Sequence, residues 1–247
     1  MHDQIEVKNL TIAFDGTVIQ RDMNFSVKRG EIFTIMGSSG CGKSALLRHM
    51  VGLYEPAAGE IIIEGKSFWT ATLAEQQAIM RHFGVLFQSG ALWSAMTLAQ
   101  NIALPLEQFT QLSPGEIAEI VSYKLALVGL AGFENFYPDE ISTSMQKRIG
   151  LARAMALDPK ILFFDEPLSG LDPVASRHLD DLILGLRDSL GTTIVLVTHE
   201  LESIFAISDN AIFMDAESQS ILAHGDPRTI LRQTQNFKVR QFLTRSR

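Results

Sequence analysis

From Ile5 to Phe14 the chain reads IEVKNLTIAF, and apolar and polar residues roughly alternate, the pattern of a half-exposed strand. A turn at Asp15-Gly16 and a short strand from Met23 to Val27 follow. EIFTIM then predicts a buried strand ending at Met36. GSSGCGKS comes next, ALLRHMVGL continues at a helical period, and EIIIEG closes this part with a strand and turn. Further on, LAEQQAIMR predicts a helix and FGVLFQ a strand. SGALWSAMTLAQNIALP predicts a loop and a short helix that Pro105 ends. Ser113-Pro114-Gly115-Glu116 has the spacing of a capping box with proline at the first helical position, so a helix should run to about Val128. A second long helix starts near Ser142. Residues 90–158 are therefore expected to form a mainly helical subdomain inserted into an α/β core, all within a single domain spanning 1–247.

Past that insertion, Lys160 to Asp165 predicts another buried strand. A helix capped by Asp172-Pro173 places Leu179, Leu182, Ile183, Leu186 and Leu190 on one face. TTIVLVTH is a continuous apolar run of the parallel-sheet kind. LESIFAI predicts a short helix, and AIFMD with SILAHG a terminal hairpin. The segment 226–247 is expected to be a basic C-terminal tail. From Arg228 to Arg247 it has six basic residues and no acidic one; it could meet anionic lipid headgroups or a partner subunit, and a solvated end is the default for terminal residues.

Composition narrows the picture modestly. Of the 247 residues, 46% are hydrophobic and 20% charged, which argues against disorder. The net charge of −7 gives no reason to expect a nucleic-acid partner. A lone cysteine, Cys41, precludes an internal disulfide and fits a reducing compartment. No signal peptide or stretch of about 18 apolar residues is evident, so any membrane role should come through a partner or a surface patch.

The chemistry lies at strand ends. Gly37, Ser38, Ser39, Gly40, Cys41, Gly42, Lys43 and Ser44 match G-x-x-x-x-G-K-[ST], between a predicted strand and a predicted helix. Glycines let backbone N–H groups converge on phosphate oxygens, and the helix N-terminus adds partial positive charge. Lys43 can bridge the β and γ phosphates of ATP, and Ser44 can give Mg²⁺ an oxygen. Cys41 should face away from the ligand, with a thiol acidified by the helix N-terminus and open to alkylation. ILFFDE ends a core strand in two carboxylates. Asp165 is suited to Mg²⁺, and Glu166 to taking a proton from attacking water. His199 follows another apolar strand as a γ-phosphate sensor. Gln88, after GVLF, can reach Mg²⁺ or the water through its amide.

In order and spacing, this set resembles the nucleotide-binding subunit of ATP-binding cassette (ABC) transporters, from about Ile5 to Asp226. The matching features are the phosphate loop, Gln88, a signature region at 141–146, Asp165-Glu166, Ser169-Gly170-Leu171-Asp172 and His199. More narrowly, LFQSGALW, NIALPL and VRQFL look like the ATPases of maintenance-of-lipid-asymmetry systems, whose partners carry mammalian-cell-entry (MCE) domains. The resemblance implies an α/β fold: a P-loop NTPase core of the ABC ATPase type, an N-terminal antiparallel β subdomain and an inserted α-helical subdomain. It also implies ATP and Mg²⁺ as ligands and a head-to-tail dimer with a second copy. The further partners it implies are an integral-membrane permease, an MCE-domain lipid-binding protein and a small cytoplasmic regulatory subunit, at the cytoplasmic face of an inner membrane. Ser142 would then meet the γ phosphate bound by the neighbouring copy, Phe14 would stack on adenine, and Asp172 would lie at the dimer seam. Leu92 to Met96 would contribute to a groove for a permease helix.

One departure stands out. Where the family has two glycines after the signature serine, this chain has Thr143 and Ser144, with Met145 next. Thr143 adds bulk where backbone should approach phosphate, while the two hydroxyls can donate to it. The first functional hypothesis is a transport ATPase driving phospholipid movement. The alternatives are an ATP-dependent clamp that hydrolyses weakly, the ATPase of another ABC importer, and a soluble ABC protein of DNA repair or translation.

Overall fold

The computed structural model describes residues 3–244. It opens with a hairpin of β1 (Asp3–Phe14) and β2 (Thr17–Lys28), paired up to Phe14 and Thr17 across Asp15-Gly16. Next come β3 (Ile32–Gly37), all six residues buried, and α1 (Lys43–Met50). β4 (Ala58–Ile63) and the two-residue β5 (Lys66–Ser67) complete a first, antiparallel sheet in the order β2-β1-β4-β5.

Next comes α2 (Leu73–Met80), started by a capping box between Thr72 and Glu75, then β6 (Phe83–Leu86). Three α-helices and a 3₁₀ turn at Pro138–Glu140 separate β6 from the next strand: α3 (Leu98–Phe109), α4 (Pro114–Leu127) and α5 (Thr143–Ala154). The Ser113–Glu116 box caps α4 as its spacing predicts. Pro105 does not end its helix: α3 runs on to Phe109. A box between Thr97 and Gln100 fixes the start of α3, and Leu98, Ile102 and Leu106 are buried on one side. Packing of that face offsets the roughly 3 kcal/mol that a proline costs inside a helix.

β7 (Ile161–Asp165), α6 (Pro173–Leu190), β8 (Thr193–Val197), α7 (Leu201–Ile207), β9 (Asn210–Asp215) and β10 (Ser220–Gly225) follow. The second sheet has the order β10-β9-β3-β8-β7-β6, parallel except for the β9-β10 hairpin. β3, β7 and β8 are buried throughout, which is why their sequences lack the alternation seen in β1. One face of this sheet packs on α3 to α6, and the other on α1 and the antiparallel sheet.

Two expectations fail by the same cause, burial. The basic tail is not a solvated end: it folds into α8 (Pro227–Gln233) and α9 (Phe237–Leu243), capped by Asp226 and Asn236. Ile230, Val239, Phe242 and Leu243 pack on Met36, Leu201, Ile204 and Phe213. Lys238 Nζ lies 2.9 Å from Asp215 Oδ2 and 2.6 Å from Glu217 Oε2. The tail's Arg245 and Arg247 lie outside the described residues. Cys41 does face away from the phosphate side, but its thiol is inside the core and burial pushes its pKa up, against the nearby Lys43 charge. It is therefore not an acidified, accessible thiol.

Phe242→Ala should cost about 3 kcal/mol in urea unfolding, whereas a solvated end would give a change near zero. Cys41 should react with iodoacetamide at least about tenfold more slowly in the native protein than in urea, and equal rates would contradict its burial.

Candidate functional site

The order β3-β8-β7-β6 puts the carboxyl ends of four parallel strands side by side, the edge where open α/β sheets hold ligands. Ile35 and Asp165 both pair with Val197, and Phe164 pairs with Leu86, so the four ends stop at one level. Four segments distant in sequence therefore converge: the loop after Gly37, Asp165-Glu166, His199 and Gln88. The loop, Glu166, His199 and Gln88 line one open cavity of about 560 Å³, and Asp165 is buried behind Ser44.

The loop at 37–44 wraps one side of this cavity. Gly37 (φ +150°) cannot be replaced without rearrangement, since a Cβ there would sit 2.3 Å from the Met214 carbonyl oxygen and 2.8 Å from Cys41 Sγ. Lys43 Nζ donates to the Gly37 and Ser38 carbonyls, both at 3.1 Å. Ser44, at the start of α1, donates to Asp165 Oδ1 at 2.7 Å. A hydroxyl, a carboxylate and the Gln88 amide are hard oxygen donors of the kind Mg²⁺ takes beside phosphate and water, so these residues fit that ion. Among the described residues no group of three His, Cys, Asp or Glu side chains could hold a metal alone.

Glu166 follows Asp165 with its backbone in the left-handed region, φ +50°. Its N–H donates to Val197 O, which ties it to the neighbouring strand end. His199 Nδ1 lies 2.8 Å from Glu166 Oε2, so the Nδ1–H tautomer donates to the carboxylate. Gln88 Nε2 donates to Ser169 Oγ at 3.3 Å.

The other predicted residues lie elsewhere. Phe14 does not line the phosphate cavity. It sits at the end of β1, edge-on to Tyr54 and His49 with centroids 5.5 and 5.8 Å apart, and is 38% exposed. Ser142 caps α5, its Oγ accepting from the Met145 N–H at 3.3 Å. Ser142 and Thr143 are exposed and Ser144 partly so, and none of the three lines this chain's own cavity. Asp172 caps α6 by accepting from Val174 and Ala175, and the Ala175 N–H is the leading cause of its lowered pKa.

Some residues at the site carried no clear signal in the sequence. Phe242 of α9 lines the cavity, and its ring lies 5.2 Å from Phe213. Arg153 donates 2.8 Å hydrogen bonds to the carbonyls of Gly90 and Ala91, just past Gln88. Gly150 lets α5 approach that same stretch, as a Cβ there would lie 3.1 Å from Gly90 Cα. Lys147, only 2% exposed, donates to the carbonyls of Pro167 (2.7 Å) and Ser169. Burial pushes its pKa down, and the Glu166 charge opposes that shift.

Comparison with known proteins accords with this arrangement. The ABC transporter family model matches residues 20–169. A probable ribonucleotide transport ATP-binding protein of Mycobacterium tuberculosis is 42% identical over 97% of this chain, which spans 66% of that relative's length. Intermembrane phospholipid transport ATP-binding proteins of Haemophilus influenzae and Escherichia coli are 39% and 36% identical over 97% of the chain and 89% and 88% of theirs. Among solved structures, CbiO1 of Clostridium perfringens, part of an ABC transporter complex, has a TM-score of 0.85 at 25% identity, covering 94% of this chain and 92% of its own. A bacterial ABC transporter cassette solved as a dimer has 0.82 at 27%, covering 90% and 98%. With its strand-end cavity, phosphate loop and paired sheets, this chain belongs to the ABC transporter ATP-binding family.

Proposed function

We propose that this chain hydrolyses ATP as one of two head-to-tail copies on an integral-membrane permease, and that the cargo is phospholipid. The observation that carries the hydrolytic reading is the 2.8 Å contact between His199 and Glu166 in the phosphate cavity. A carboxylate aimed this way can take the proton of an attacking water, while the imidazole holds its orientation. Lys43 and the loop N–H groups would bind the phosphates, and Ser44, Asp165 and Gln88 would hold Mg²⁺. When bound, that ion would offset negative charge developing on the transferred phosphoryl group.

The paired arrangement is supported by the placement of Ser142, Thr143 and Ser144. They begin a 12-residue helix whose N–H groups favour an anion, and they lie outside their own subunit's cavity. A second copy would bring them to the nucleotide. The permease reading is supported by a groove of about 630 Å³ between α2, β6, α3 and α5, lined by Trp93 (60% exposed) and Phe109 (50%). It suits a short amphipathic helix. Among the described residues no helix is long and apolar enough to cross a membrane; in this reading the chain meets an inner membrane through the permease helix seated in the groove. The phospholipid cargo is supported by the names of two relatives, both intermembrane phospholipid transport ATP-binding proteins; an MCE-domain partner and a small regulatory subunit would go with that cargo. Other relatives are named for ribonucleotides and iron(III).

In the purified complex, Glu166→Gln should lower steady-state phosphate release by about a hundredfold or more while leaving ATP binding intact. Indistinguishable rates would replace the hydrolytic reading with that of an ATP-dependent clamp. Changing Thr143 and Ser144 together to glycine should leave turnover within about threefold if the two side chains are tolerated at the site. A rise of about tenfold or more would show that they throttle the site.

A further inference from the structure

Lys147 is a charged side chain almost wholly buried on α5, and the reaction as described gives it no part. Its ammonium donates to the carbonyls of Pro167 and Ser169, on either side of the buried Leu168. Both carbonyls belong to the turn that leaves β7, and that turn begins at Glu166 with φ +50°. The same turn is closed by Ser169 N–H donating to Glu166 O at 3.2 Å and by Leu171 N–H donating to Leu168 O at 3.1 Å. An unpaired buried carbonyl is costly, and so is a non-glycine residue at positive φ. One ammonium satisfies two of these carbonyls and fixes the turn that aims the Glu166 carboxylate. Lys147 also stands little more than one helical turn from the exposed α5 start at Ser142.

We propose that Lys147 is a positioning residue for hydrolysis, pinning the turn that carries Glu166 to the helix whose N-terminus serves the neighbouring copy's nucleotide. The inference rests on the ATPase reading above. A displacement of α5 as its start engages the partner's phosphate is passed through the ammonium to the Glu166 turn, so closure of one site sets the aim of the proton acceptor in the other. A core lysine placed only for packing would contribute to folding and not to the rate per bound ATP. Lys147 should act on kcat.

The test compares wild type, Lys147→Gln, Lys147→Arg and Glu166→Gln in the full-length protein assembled with its complex. Phosphate release is followed against ATP concentration, and ATP affinity and thermal melting are measured alongside. Glutamine is neutral and too short to span both carbonyls, while arginine retains the charge and several donors. The expected result is a kcat for Lys147→Gln lower by about tenfold or more, with KM and ATP affinity within about twofold of wild type. Lys147→Arg should recover turnover to within about threefold. A Lys147→Gln protein with wild-type kcat overturns the proposal. So does one whose melting temperature, ATP affinity and kcat all fall together without recovery in Lys147→Arg. If Lys147→Gln does not fold, the arginine variant decides alone: wild-type KM with kcat within threefold upholds the pin, and a tenfold loss of kcat overturns it. If wild type itself releases no more phosphate than Glu166→Gln, the ATPase reading has failed, a result separable from any effect at position 147.

Discussion

The ladder of parallel hydrogen bonds joining β3, β8, β7 and β6 is the constraint on which the rest depends. A parallel register can be satisfied only when the strands lie in matching phase, so it fixes not only which strands are neighbours but where each one stops. Because Gly37, Asp165 and the residues after Leu86 and Val197 leave the sheet at one level, a phosphate loop, two carboxylates, a histidine and an amide meet without any of them being close in sequence. The buried flanks of β3, β7 and β8 hold that level. Each is buried along its whole length and mostly apolar on both faces, and a one-residue slip would draw the chemistry at the strand ends into the core.

α5 plays the complementary part. It lies against the sheet's helical face, and from its length three separate commitments arise. Its first turn is exposed at Ser142 and Thr143, its buried flank reaches the Glu166 turn through Lys147, and its last turn holds the segment after Gln88 through Arg153. The two basic side chains are charged hydrogen-bond donors to backbone carbonyls, stronger than neutral pairs and specific to carbonyl position rather than to neighbouring side-chain identity. Such contacts tie loops to a helix without tying their sequences.

How much of this could be read from the residues follows from the range of each interaction. The loop at 37–44 and the Asp165-Glu166 pair were legible because their chemistry is local: the spacing itself is the requirement. The Ser113–Glu116 cap was legible for the same reason. Pro105 misled because its steric cost is local while the burial of Leu98, Ile102 and Leu106 that outweighs it is not. The tail misled because its six basic residues dominate the composition, whereas Val239, Phe242 and Leu243, three and four positions apart, are the stripe that docks. Cys41 was judged by the helix end beside it and turned out to be governed by the core behind it. Lys147 gave no such signal, because nothing local announces that two carbonyls twenty residues on await it. The setting of Ser142 is less accessible still, because its proposed target belongs to another molecule.

Glu166 combines two roles that pull against each other. It is the side chain proposed to accept a proton, and its backbone occupies a conformation that L-residues tend to leave when released. The surrounding turn has to be held from outside, by a neighbouring strand on one side and by a lysine on the other. A small loosening of this turn would let the carboxylate swing off its histidine while every strand remains paired. The upper working temperature of this chain would then be set by the grip on one corner rather than by the melting of the sheet.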